Sequence, residues 1–227
     1  MKEEMSSGKY KPLSASYHST FFTVEKKGGA LQVVHDLQPL NTVTIQDATL
    51  PPHVDNMIKS FAGCTVYGLF NLKSGYDSCI LMTISQDLTS FYMEGMGLLR
   101  LTQLPQGHIN SIAEFQRCMQ HMISPMYPRR AEVFINDCAI KGPRSRSSKN
   151  TIPDNAQIRV FVWEYAQSVQ ELLARVLESG AMISGPKMVL ATPRMQLLGA
   201  EVTLDGAHIS HKVTAKLAKW PTCMNLS

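Results

Sequence analysis

Asp137 follows Asn136 at the end of the run VFIND (133–137), and Asn71 closes the apolar part of VYGLFNLKSGYD (66–77). A carboxylate at a strand end can hold a hard divalent cation, which requires anionic oxygens. A carboxamide offers a carbonyl oxygen but brings no charge. Of these three side chains only Asp137 carries a negative charge, so each Asn can offer hydrogen bonds but no anionic oxygen to a cation. Asp77 lies six residues past Asn71, and period-two alternation does not guarantee that it points to the same place. His208 and His211 have H-x-x-H spacing, but no cysteine or acidic cluster accompanies them and a strand would splay them, so they read as surface histidines. The five cysteines are widely spaced, odd in number and contain no C-x-x-C. That pattern argues against a disulfide framework or zinc site and for a reducing intracellular compartment.

The elements that must position these residues can be read from periodicity. LQVVHD (31–36) reads as a short strand, and strand signals follow at 66–71, 78–84, 89–93 and 97–103, with Gly95 and Gly97 marking a hairpin. Residues 39–61 read as a loop stiffened by Pro51 and Pro52, then a short helix. Ser111 followed by Glu114 predicts a capping box. Beyond it, Ile112, Phe115, Met119, Met122 and Ile123 form one apolar helical face that ends at Pro125 and Pro128, and the Met-rich stretch 119–126 reads as core. AEVFI (131–135) and CAIK (138–141) are strands around a turn at Asn136 and Asp137. Ile158, Phe161, Tyr165, Val169, Leu172 and Val176 mark a long amphipathic helix closed by Gly180. MQLLGAEVTLDGAHIS (195–210) reads as a hairpin turning at Asp205-Gly206. Strands mixed irregularly with helices and hairpins argue for an α+β fold around an antiparallel sheet.

At 227 residues the chain can bury a real core, and 44% hydrophobic with 18% charged residues is ordinary for a globular protein. A net charge of +4 and a pI near 8.8 are compatible with nucleic acid without demanding it. The start, MKEEMSSGKYK, has no apolar signal region, and no stretch approaches the roughly 18 apolar residues of a membrane span, so neither secretion nor a membrane partner is expected. Residues 1–19 read as a loose polar leader. PRSRSSKN (143–150) reads as a solvated basic linker without packing potential, with the basic connector as a whole spanning 143–157.

In order and spacing, VYGLFNLKSGYD, LPQG (104–107) and VFIND resemble the core of reverse transcriptases from gypsy-class LTR-retrotransposon Pol polyproteins, where these stretches read F-D-L-x-x-G-Y, L-P-x-G and F/Y-x-D-D. The connector with its long helix resembles the fungal-type branch, and the resemblance extends over about residues 20–226. It implies an incomplete polymerase right hand: fingers at 20–60 and 86–103, palm at 61–85 and 104–215, and a truncated start of the thumb at 216–227, with the thumb itself absent. It implies RNA-directed DNA polymerase ancestry, Mg²⁺ as cofactor, and an RNA/DNA template–primer as partner. In the family, RNase H and integrase regions belong to the same polyprotein.

The resemblance also assigns roles. Asn71 and Asn136 occupy the two positions whose aspartates bridge the metal ions, and Asp137 occupies the lesser third. Tyr76 matches the aromatic that excludes a 2′-hydroxyl, and Gln106 lies in the segment that touches the incoming nucleotide. EKKGGALQVV (25–34) keeps Lys26 and Lys27 but has Gln32 where a triphosphate-gripping Arg is expected. MISGPK (182–187) and LLGAEV (197–202) match the approach to the primer grip, which places Leu198 and Gly199 there. With two of three metal aspartates replaced by Asn, the expectation is a degenerate, catalytically impaired remnant that binds Mg²⁺ and template–primer weakly or not at all. The alternatives are a residually active polymerase working through Asp137 and a non-catalytic nucleic-acid or partner-binding module.

Overall fold

The computed structural model describes residues 2–25, 29, 31–49, 51–144 and 150–220. The chain opens with α1 (Lys2–Ser6), β1 (Tyr10–Pro12), the hairpin β2 (Phe21–Glu25) and β3 (Leu31–His35), and the helices α2 (Gln38–Val43) and α3 (Val54–Phe61). Next come β4 (Tyr67–Lys73), a 3₁₀ turn at Gly75–Ser78, α4 (Thr83–Gln86), the hairpin β5 (Phe91–Met93) and β6 (Gly97–Leu101), and α5 (Ser111–Ile123). The hairpins β7 (Ala131–Phe134) with β8 (Asp137–Lys141) and β9 (Thr151–Ile152) with β10 (Asn155–Arg159) precede α6 (Val160–Glu178). The chain then forms β11 (Met182–Ile183), β12 (Val189–Thr192), β13 (Arg194–Leu197), β14 (Ala200–Thr203), β15 (Gly206–Ile209) and α7 (His211–Leu217).

The result is a mixed α and β fold whose strand ladders are antiparallel, as expected. β4 is the axis of the largest sheet: β8 pairs along one edge, with β7 beyond it, and β11 and β12 share the other edge. Alternation along β4 separates two cores. On one face Phe70, Leu72, Cys138 and Ile140 pack against Phe115, Met119 and Ile123 of α5 and Tyr165, Leu172 and Val176 of α6. On the other, Tyr67 and Ala139 meet Met57 and Phe61 of α3 with Met195, Leu197 and Val202 of the β13–β14 hairpin. The central strand is thus covered on both sides, and its last residues emerge where the two coverings end. No helix among the described residues is long and apolar enough to cross a membrane.

Several expectations are corrected by long-range packing. The leader is structured: β1 pairs with β6 (Tyr10 opposite Leu101), and Tyr10 is buried edge-on against Phe91. The strand expected at 78–84 is absent. Ile80 makes only an isolated bridge to Gln103 and, like Met82, stays exposed, so the chain turns into α4 instead. Ser111 is the first helical residue rather than the cap, and its hydroxyl donates to the Pro105 carbonyl at 2.6 Å. Asn110 sits at the cap position, but its side chain reaches back to Ile45 and Asp47.

Turn positions also shift by one residue. The β7–β8 turn is Ile135–Asn136, leaving Asp137 as the first residue of β8, and the turn before β15 is Leu204–Asp205. MQLLGAEVTLDGAHIS forms two successive hairpins rather than one. The basic connector is shorter than expected, because 151–159 form a small hairpin and Arg144 docks onto the carbonyls of Lys59 and Ser60. Residues 145–149 lie outside the described residues.

Candidate functional site

The site is built at the emerging ends of β4 and β8. Asn71 and Asp137 are directly opposite in the ladder, and the Asn71 amide donates to the Asp137 carboxylate at 2.6 Å. One residue further, the Leu72 N–H donates to the Asn136 carbonyl at 2.9 Å. On the opposite edge, the Ser184 N–H donates to the Asn71 carbonyl at 2.8 Å. Backbone bonds therefore fix Asn71 from both sides, and the three residues expected to sit together are brought together.

The hairpin tip needs support because a two-residue turn of this kind draws on left-handed backbone, which favours glycine. Here Ile135 holds that conformation at φ 53°. Gln116 supplies the support: fully buried on α5, it donates to the Val133 carbonyl at 2.9 Å and accepts the Ile135 N–H at 2.7 Å. An unpaired buried amide would be costly, so the two bonds lock hairpin to helix. The sequence reading took only the apolar face of this helix and missed Gln116. The signal was a glutamine at a position facing the core side of an amphipathic helix.

Asn136 lines an open cleft of about 540 Å³ with Leu72, Gly75, Tyr76, Gln106 and Ser111. The structure thus gathers Tyr76, Gln106 and Asn136 around one space. The Tyr76 ring stacks on Phe115 with centroids 4.6 Å apart, and burial raises its phenol above the usual range, keeping it protonated as a hydrogen-bond donor. Gly75 makes this stacking possible, since a Cβ there would lie 2.5 Å from the Phe115 ring. Gln106 is exposed on a loop that Asn41 braces: its amide donates to the Gly107 carbonyl and its oxygen accepts the Ile109 N–H, each at 2.9 Å.

Other expected residues lie elsewhere. Gln32 is half-buried on β3 opposite Val24, in a sheet separate from Asn71. Lys26 and Lys27 lie outside the described residues. Leu198 and Gly199 form the β13–β14 turn with φ of 48° and 89°, and Leu198 packs on the core that lies under the Leu69 face of β4. His208 and His211 are exposed, and Met119 and Met126 are core, as read. Asp77 is no second carboxylate for the site, because it turns to Lys9, whose ammonium is 3.0 Å away.

The donor set does not fit a pair of divalent ions. Two of its three members are neutral amides, and the one carboxylate already accepts a hydrogen from Asn71. Among the described residues no group of three or more His, Cys, Asp or Glu side chains could hold a metal ion. The arrangement can donate and accept hydrogen bonds, Asn136 into the cleft it lines.

No protein-family model matches the chain. Polyproteins of transposons and viruses are among the curated proteins it resembles. It is 23% identical over 211 residues to the retrovirus-related Pol polyprotein from transposon 297 of Drosophila melanogaster, covering 91% of this chain and 18% of that protein. It is likewise 23% identical over 202 residues to the enzymatic polyprotein of cauliflower mosaic virus (strain D/H), covering 87% of this chain and 27% of that protein. The chain thus spans well under a third of the length of either. Among solved structures, a foamy viral protease-reverse transcriptase in complex with double-stranded DNA superposes with a TM-score of 0.78 at 19% identity, covering 96% of this chain and 35% of the other. The same kind of protein in complex with an RNA/DNA hybrid gives 0.76 at 18% identity, covering 97% and 27%. The fold is that of part of a reverse transcriptase.

Proposed function

We propose that this chain is a reverse-transcriptase-like region of a gypsy-class Pol polyprotein, of the fungal-type branch, in which RNA-directed DNA synthesis is lost or severely impaired. The observation that carries the reading is the 2.6 Å bond from the Asn71 amide to Asp137. Nucleotidyl transfer by two metals needs several carboxylates converging on the ions, one ion activating the attacking oxygen and the other steadying the leaving group. This site has one carboxylate, and its neighbour caps it with a donor. Gln32 in place of a guanidinium would further weaken the grip on a triphosphate.

In this reading the sheet around β4, with α5 and α6, is the palm. The β2–β3 and β5–β6 hairpins belong to the fingers, and β1 extends the latter sheet. Residues 216–227 begin the thumb, and Leu198–Gly199 is the primer-grip turn. The partner is an RNA/DNA template–primer, held weakly, in an intracellular setting. The cleft that gathers Tyr76, Gln106 and Asn136 is retained without the charge that would make it catalytic.

Primer extension on an RNA template, run with Mg²⁺ and with Mn²⁺, tests this. The wild-type chain is expected to extend nothing. Asn71→Asp and Asn136→Asp together with Gln32→Arg, in a chain fused to a thumb, should restore synthesis. Robust wild-type extension abolished by Asp137→Ala would overturn the proposal and establish a working polymerase.

A further inference from the structure

A second cavity, of about 430 Å³, lies on the far side of the Pro105 segment, and both Cys79 and Cys118 contribute to its wall. The chain path explains why they share it. Gly75 presses against Phe115 and Tyr76 stacks on the same ring, so the 75–79 turn lies along one face of α5. Cys118 is three residues past Phe115, the spacing that puts two side chains on one helical face. Cys79 closes the 3₁₀ turn, its thiol 3.9 Å from the Gly75 carbonyl, and the Cys79 carbonyl accepts the Leu104 N–H at 2.8 Å. The two cysteines differ in access: Cys118 is exposed and Cys79 half-buried, while Cys64 and Cys138 are buried in the two cores.

We propose that Cys79 and Cys118 are a peroxide-responsive dithiol that closes to an intrachain disulfide and pins the Tyr76 turn to α5. The exposed Cys118 thiolate attacks hydrogen peroxide, breaking its O–O bond and giving a sulfenic acid and hydroxide. The Cys79 sulfur then attacks the Cys118 sulfur, a proton leaves Cys79, and water departs with the sulfenic oxygen. In sum two thiols lose two electrons and two protons, and one peroxide becomes two waters. Burial, then the neighbouring Cys118, pushes the Cys79 thiol up to about 12, so the exposed Cys118 is the sulfur that meets peroxide first. The site is independent of the metal question, because neither cysteine lies in the Asn71–Asp137 pair or the Asn136 cleft.

The test treats the full chain with hydrogen peroxide, blocks remaining thiols with N-ethylmaleimide, and maps peptides by mass spectrometry without reduction. The expected result is a Cys79–Cys118 linked peptide, two hydrogens lighter than its parts and released by dithiothreitol, with Cys64 and Cys138 alkylated only after denaturation. In Cys79→Ser the trapped species should be a Cys118 sulfenic acid that reacts with dimedone. If wild-type Cys118 instead accumulates as sulfinic acid, links two chains, or pairs with Cys223 while Cys79 stays free, the proposal fails.

Discussion

Asn71 and Asp137 face each other across the β4–β8 ladder, the amide nitrogen of one 2.6 Å from a carboxylate oxygen of the other. A second carboxylate at position 71 would meet Asp137 at the same distance as a like charge. Asn71→Asp is therefore expected to destabilise the metal-free fold at neutral pH by about 1–3 kcal/mol, through the lost bond and the added repulsion. Urea titration measures it. The deficit should shrink at acid pH as one carboxylate of the pair takes a proton, and an unchanged deficit there would show that repulsion is not the cause.

Tyr10 anchors the first strand, its ring buried against Phe91 and its backbone paired with β6. Tyr10→Ala should lower stability by about 3–5 kcal/mol, the range for emptying a buried aromatic site. Deleting residues 1–13 should do at least as much. Denaturant midpoints within experimental error of wild type for both would return this segment to the status of a loose leader.

These outcomes bear on what could be read in the chain without coordinates. Asn71, Asn136 and Asp137 were legible as one site through the resemblance of VYGLFNLKSGYD and VFIND to a reverse-transcriptase core, since local alternation puts each at a strand end but does not set the two strands side by side. The fold class followed from the same short-range patterns. The leader was not legible, because nothing near Tyr10 announces Phe91, eighty-one positions later in the chain (91 − 10). The 78–84 segment has strand-like residues but no partner strand, and only tertiary structure reveals that. Gln116 was not legible either, because its two bonds go to the β7–β8 hairpin, outside its own helix. The one-residue shift in that turn put Asp137 in the ladder opposite Asn71, which is what allows the amide to reach it.

Gly75 is required by proximity. A Cβ would lie 2.5 Å from the Phe115 ring, itself buried and held by the stacked Tyr76. Gly75→Ala should cost about 1–3 kcal/mol. Adding Phe115→Leu to that variant should cost less than it does in wild type, a coupling that a double-mutant cycle reads directly. Simple additivity would show that the turn relieves the clash by moving elsewhere.

His35 makes the N-terminal sheet sensitive to acid. It lies on the Phe91 ring at 4.5 Å and against Tyr10, whose hydroxyl is 3.3 Å from its Nε2, while its buried Nδ1 has no hydrogen-bond partner among the described residues. Burial, and then the positive charge of Lys9, lowers its pKa from 6.5 to about 4. Between those values the unfolded chain binds a proton that the folded chain refuses. The histidine's contribution is therefore complete above pH 6.5 and is lost as pH falls through 4. Stability should decline by about 1–3 kcal/mol between neutral pH and pH 4 on this account, and His35→Gln should flatten that part of the profile. Parallel profiles for the two proteins would exclude His35 as the source.

In the proposed function the Asn71–Asp137 hydrogen bond stands where a divalent-metal site would be. Thermal melts of the wild-type chain with and without millimolar Mg²⁺ test it most directly, since a ligand that binds only the native state must raise the midpoint. The account predicts no shift for the wild type, and a Mg²⁺-dependent rise once Asn71→Asp and Asn136→Asp are introduced together. A clear rise in the wild type that disappears in Asp137→Asn would contradict it.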